Sequence, residues 1–135
     1  MIKGRCLCAG VKYEYKRPLQ EVVICHCDQC KRAQGTPFAS NAPIDAADFE
    51  IIEGQALLAE YFSSESKKRV FCSRCGSPLY SQRTDLPSVL RLRLGSVIEG
   101  DIPAPKYEIY GDNAANWFCE DAERPRYAQN VPTAP

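Results

Sequence analysis

The sequence predicts a mainly β fold on three observations: apolar residues recur with period two, glycine and proline interrupt the runs, and helical stretches are few and short. Period two marks a half-buried strand because successive side chains point to opposite faces. In chain order, Val11-Lys12-Tyr13-Glu14-Tyr15 alternates, and Glu21-Val22-Val23-Ile24 runs into a cysteine group. Asp28 to Ala33 reads as a short helix, and Asp45 to Asp48 as a helical turn. Phe49-Glu50-Ile51-Ile52 and Leu58-Ala59-Glu60-Tyr61-Phe62 follow as strands, and Val70-Phe71 leads into a cysteine pair. Leu90-Arg91-Leu92-Arg93-Leu94 alternates again, and breakers such as Pro37, Pro43, Gly54, Gly76, Gly95 and Pro103 separate the segments. Residues 1–120 are expected to form one domain. Residues 121–135, rich in proline and polar side chains, are expected to form an irregular C-terminal tail.

A chain of 135 residues is long enough to bury one apolar core. Its 17 basic and 17 acidic side chains cancel, which argues against a nucleic-acid or anionic-membrane binder, since such proteins gather phosphates with a positive field. Met1 to Cys6 carries no apolar run after its charges, so no secretory signal is expected. No stretch approaches the roughly 18 apolar residues that cross a bilayer. The expected location is the cytoplasm.

Eight cysteines dominate what remains, and seven of them fall into three tight groups. Small extracellular scaffolds scatter cysteines singly to staple loops, so grouped cysteines in a reducing compartment point to metal ligation before disulfides. Cys72-Ser73-Arg74-Cys75-Gly76 has the form of a zinc knuckle: two intervening residues turn both sulfurs toward one point, and Gly76 permits a positive φ. Cys6-Leu7-Cys8-Ala9-Gly10 repeats the pattern with a tighter gap. Two ligands from each segment make a closed Cys₄ site for a structural Zn²⁺. Such a site stabilises a fold and does no chemistry.

Cys25-His26-Cys27-Asp28-Gln29-Cys30 differs, because it offers three thiols within six residues. Three ligands with an exchangeable fourth place form a catalytic zinc site, and a substrate thiol suits that place. His26, between two cysteines on an extended segment, faces away from both and is expected to support the site by hydrogen bonding. Closure of the site by His26 or Cys119 is the competing reading. Asp28 is the expected cap of the short helix. Lys31 and Arg32 are candidates to pair with substrate carboxylates, the plainer expectation being solvated charges. Cys119, beside Trp117 and Phe118, is expected to be a buried apolar thiol.

Gly4 to Tyr13, Cys25 to Lys31 and Phe71 to Tyr80 together closely resemble the glutathione-dependent formaldehyde-activating enzyme family, and Ile109-Tyr110 with Trp117 resembles its closing segment. The resemblance implies a β-tent of packed antiparallel sheets with zinc knuckles and one or two short helices. It implies that Cys6, Cys8, Cys72 and Cys75 hold a structural zinc, and that Cys25, Cys27 and Cys30 hold a catalytic one. The implied activity is carbon-sulfur lyase chemistry, joining glutathione and formaldehyde reversibly as S-hydroxymethylglutathione. The expected partner is therefore a small thiol or thiol-aldehyde adduct, with neither nucleic acid nor membrane. The rival from another class is a non-catalytic zinc-stabilised module that binds a protein.

Overall fold

The structure is a computed structural model that describes residues 1–132. In chain order it places β1 (Ile2–Arg5), β2 (Lys12–Tyr15), β3 (Val22–Cys25), α1 (Asp28–Gln34), β4 (Ala39–Asp45), β5 (Phe49–Glu53) and β6 (Leu58–Ser64). There follow β7 (Lys67–Cys72), β8 (Pro78–Arg83), β9 (Leu86–Arg93), β10 (Val97–Glu99) and β11 (Pro105–Ile109). A four-stranded sheet has the order β10-β1-β2-β5, and a seven-stranded sheet the order β11-β3-β4-β9-β8-β7-β6. Every pairing is antiparallel except that of β11 with β3. The mainly β expectation holds. Among the described residues, no helix is long and apolar enough to cross a membrane.

Several strands carry little apolar signal. β4 contains Pro43, which cannot donate to a ladder and reads as a breaker, yet the strand pairs with both β3 and β9. β1 and β10 have only 4 and 3 residues, too few to show a period. β11 is exposed along its whole length and is held by its parallel register against β3. Residues 121–132 carry no helix or strand, and positions 133–135 of the expected tail lie outside the described residues.

Side chains from both sheets form one core. Tyr13 and Ile2 from the smaller sheet meet Leu79, Leu92 and Ala42 from the larger one. The Tyr13 ring lies 5.2 Å from that of Phe49, which meets Tyr80 at 5.4 Å. Gly4 is required here, since a Cβ on it would enter the Tyr13 ring. Ser96 donates its hydroxyl proton to the Arg93 carbonyl at 2.8 Å, so the Tyr13 hydroxyl donates to Ser96 Oγ at 2.7 Å.

The other face of the seven-stranded sheet is polar. The alternation in β9 holds at Leu90 and Leu92 but fails at Arg93, which is only 3% exposed. Arg93 donates to Asn41 Oδ1, its cross-strand neighbour on β4, and to Ser81 Oγ at 3.1 Å. Register then sets Arg91 opposite Ser81, Ser81 opposite Arg69, and Arg69 opposite Tyr61. Cys30, the buried residue of α1, clusters on this side with Cys25 and Ala39.

Burial pushes the Tyr13 phenol up to about 12, against a smaller opposing pull from Ser96. The neutral ring is the form the fold accepts, so an unfolded tyrosine ionises first as pH rises past about 10. Stability is therefore lost between pH about 10 and about 12, by about 2–3 kcal/mol for this group. Tyr13→Phe should cost about 1 kcal/mol at neutral pH and flatten that alkaline limb. Urea titrations at pH 7 and pH 11 measure both, and parallel alkaline limbs would contradict the assignment.

Candidate metal centres

Two loops build the first thiol group. In the first, Ala9 N–H donates to the Cys6 carbonyl at 3.0 Å and Val11 N–H to Cys6 Sγ at 3.2 Å. The left-handed residue in this loop is Ala9, at φ 62, and not the glycine beside it. Gly10 leaves room for its neighbours: a Cβ there would push aside the ends of the Arg74 and Leu57 side chains. In the second loop, Gly76 takes φ +78 and donates to the Cys72 carbonyl at 2.7 Å, the knuckle turn its position predicts. Leu7 N–H donates to Ser77 Oγ at 2.8 Å and ties the two loops together.

The sulfurs of Cys6, Cys8, Cys72 and Cys75 all lie within 4.8 Å of one another. Cys6 Sγ to Cys8 Sγ is 3.5 Å, and Cys8 Sγ to Cys72 Sγ is 3.8 Å. A tetrahedral ion with bonds of about 2.3 Å sets its sulfurs about 3.8 Å apart, whereas a disulfide needs about 2.05 Å. The four thiols therefore fit a metal ion, and all eight cysteines are free.

Local donors prepare these thiols as anions. The Gly10 N–H and then the Arg74 guanidinium, whose Nε stands 3.2 Å from Cys8 Sγ, hold Cys8 below the usual thiol range. The Ser77 hydroxyl, 3.2 Å away, and the Cys8 backbone bring Cys75 down to about 5. Burial pushes Cys72 the other way.

The second group spans the junction of β3 and α1. Cys25 ends β3, Cys27 takes the N-cap of α1, and Cys30 lies in the first turn. Cys27 Sγ accepts from Cys30 N–H at 3.3 Å, so the cap is Cys27 where the sequence suggested Asp28. A helix start curls the chain so that i and i+3 meet, which is how three thiols within six residues converge. Their sulfurs lie within 4.8 Å of one another, and no fourth histidine, cysteine or carboxylate joins them among the described residues. Cys25 and Cys30 are buried, while Cys27 is partly exposed.

Charge around this trio is uneven. Burial pushes Cys25 up to about 12. Burial also raises Cys30, but hydrogen bonds from Cys27 and Arg69, with the charge of Arg93, outweigh it and leave Cys30 lowered. Arg69 Nη2 stands 3.8 Å from Cys30 Sγ.

His26 turns away from the thiols, as its place between them predicts. Its Nε2 meets Glu108 Oε1 at 2.6 Å, its backbone N–H donates to the Ile109 carbonyl at 3.0 Å, and its ring packs edge-on to Phe38. Lys31 is engaged by Asp28 Oδ1 at 3.1 Å and by the Asn113 carbonyl at 2.5 Å. Arg32 is exposed. Cys119 is exposed, contrary to expectation, in a segment where Trp117 is 72% exposed, so no apolar cover surrounds its thiol.

Glu108, Arg69 and Arg93 were not apparent from sequence. Glu108 reaches His26 through the parallel pairing of β11 with β3, which no local pattern announces. Lys67, Arg69, Arg91 and Arg93 do carry a signal: they occupy alternate positions of two strands, which puts four cations on one sheet face.

Comparison with known proteins adds to this geometry. A family model described as glutathione-dependent formaldehyde-activating enzyme matches residues 1–113. An uncharacterized lyase of Schizosaccharomyces pombe is 25% identical over 83 residues, covering 62% of this chain and 58% of that protein. A Halomonas elongata protein, provisionally named a glutathione-dependent formaldehyde-activating enzyme, is 26% identical over 142 residues, covering 98% of this chain and 89% of its own. The crystal structure of a Rhodobacter sphaeroides protein matches with a TM-score of 0.62 and 26% identity, over 78% of this chain and 98% of that one.

Unfolded in guanidinium without reductant, the chain should release eight thiols to Ellman's reagent after metal chelation. Six or fewer would place a disulfide where the structure places free cysteines.

Proposed function

Because the chain belongs to the glutathione-dependent formaldehyde-activating enzyme family, we propose that it is a zinc-dependent carbon-sulfur lyase acting on thiol-aldehyde adducts such as S-hydroxymethylglutathione. The observation that carries this reading is the trio of Cys25, Cys27 and Cys30, converged within 4.8 Å and joined by no fourth protein ligand among the described residues. On the same reading Cys6, Cys8, Cys72 and Cys75 hold a second, purely structural zinc. A zinc ion held by the trio would supply an open coordination place at which a substrate thiol loses its proton.

The chain's own residues account for the rest. Cys27 both offers a ligand and caps α1, so the helix start that brings Cys30 into place depends on the same sulfur. Arg69 and Arg93 set positive charge beside the trio, which favours anionic sulfur there. His26 Nε2 lies 2.6 Å from Glu108 Oε1, and this hydrogen bond fixes the orientation of the imidazole. The proposed reaction joins a thiol sulfur to an aldehyde carbon and passes the thiol proton to the carbonyl oxygen. The reverse breaks the same carbon-sulfur bond. A reducing compartment such as the cytoplasm, where all eight thiols stay free, belongs to this proposal.

Cys27→Ser is the informative variant, since serine can still cap α1 and the fold should survive. The expected result is one zinc per chain where the parent holds two, and a loss of S-hydroxymethylglutathione turnover of at least about 100-fold. Loss of an outer partner alone costs about 10–100-fold. Full turnover in a folded variant would remove the proposed catalytic role. One zinc in the parent together with no turnover would leave the zinc-stabilised binding module. Cys72→Ser should instead unfold much of the chain, because structural zinc sites contribute about 10–16 kcal/mol of apparent binding energy in small zinc domains.

A further inference from the structure

The polar face of the larger sheet carries more positive charge than its surroundings balance. Lys67, Arg69, Arg91 and Arg93 leave this face together, and Arg32 stands across from them on α1. Among the described residues, none of the five forms an ion pair with a carboxylate. Burial lowers the pKa of Lys67, and the nearby charge of Arg69 adds to that in smaller measure. The trio of thiolates supplies three negative charges, and a divalent ion would cancel two of them. Lys67 and Arg91 line a separate hollow, whereas Arg69, Arg93 and Arg32 wall the groove beside the trio, so three cations there meet one residual charge, an imbalance that favours an outside anion.

Space exists to receive one. Two hollows of about 360 and 410 Å³ share Ala33, Tyr61 and Arg69 as walls, so they form one groove between α1 and the strands β6 to β8. Small-molecule sites usually run from about 300 to 1,000 Å³. Phe71, Pro78 and Tyr80 give one end an apolar lining, and Arg32 stands at the other. Arg69 joins groove to trio, since it walls both hollows and reaches within 3.8 Å of Cys30 Sγ. Its planar fork is the geometry that takes a carboxylate through two parallel hydrogen bonds.

We propose that this groove binds the carboxylate end of an anionic thiol, with Arg69 as anchor and Arg32 at the outer end, and directs the sulfur toward Cys30. The choice of a thiol rests on the proposed function, whereas the choice of an anion rests on the unpaired cations alone. Thiols without a carboxylate would meet the same trio with no anchor, so the groove sets specificity.

S-Methylglutathione tests this, because it keeps both carboxylates and has no free thiol to ligate metal. Calorimetric titration of the metal-replete chain should show binding that Arg69→Gln and Arg32→Gln each weaken at least about tenfold, the scale of a charge-assisted hydrogen bond. Arg69→Lys should recover part of the affinity. Lys68→Gln, whose parent side chain pairs with Glu60, should change nothing. The dimethyl ester of the same ligand should bind at least about tenfold more weakly. Equal affinity for acid and ester, wild-type affinity in both arginine variants, or no binding at all would overturn the proposal. Failure here is separable from failure of the lyase reading: turnover of S-hydroxymethylglutathione with an unchanged KM in Arg69→Gln removes the groove and keeps the lyase. Arginine-dependent binding of S-methylglutathione without any turnover does the reverse.

Discussion

Sulfur atoms drawn within 4.8 Å of one another as thiolates repel unless a cation sits among them, and this chain creates that situation twice. At the first group loop donors favour the anion at two of the four thiols, while burial opposes it at Cys72. The Gly10 N–H and Arg74 lower Cys8, and Ser77 brings Cys75 down to about 5. These donors belong to loops that are 64 residues apart between Cys8 and Cys72, so the charge they stabilise lies on the seam between the N-terminus and the end of β7. An ion at this seam would turn a local repulsion into the clip that closes the two sheets.

The second group meets the same constraint differently. Burial pushes Cys25 up to about 12, while hydrogen bonds from Cys27 and Arg69 and the charge of Arg93 draw Cys30 down, so the trio is asymmetric before any ion arrives. Its cationic counter-charge comes from side chains on the sheet face, and the Cys27 and Cys30 amides add their N–H groups to Cys25 and Cys27. That difference accounts for Arg93, a cation that the alternation of β9 would send to solvent. It is buried because Asn41 and Ser81 take its hydrogen bonds and the thiols lie close by. The polar face thus serves the trio, as the apolar face serves the core.

What sequence could reveal followed from how local each signal was. The cysteine groups, the helix at Asp28 and the strands at Lys12, Phe49 and Leu58 are set by neighbours within a few residues and are found where spacing placed them, while the run Leu90 to Leu94 proves to be the second half of a strand that begins at Leu86 and stops at Arg93. β4 was hidden by Pro43, and β11 by its exposure, since long-range register alone holds them. The cap passed from Asp28 to Cys27 because a sulfur already turned toward Cys30 could accept its N–H. Cys119 misled because its aromatic neighbours implied a core, whereas Trp117 is itself exposed. Neutral total charge hid a basic face, since none of the carboxylates that form ion pairs meets the cations of that face.

X-ray absorption at the zinc edge on the purified chain addresses the central claim most directly, because it counts sulfur neighbours without requiring a substrate. The account predicts two ions per chain, with a first shell dominated by sulfur at about 2.3 Å and averaging between three and four sulfurs per ion. A single ion per chain, or a shell dominated by nitrogen and oxygen, would contradict it.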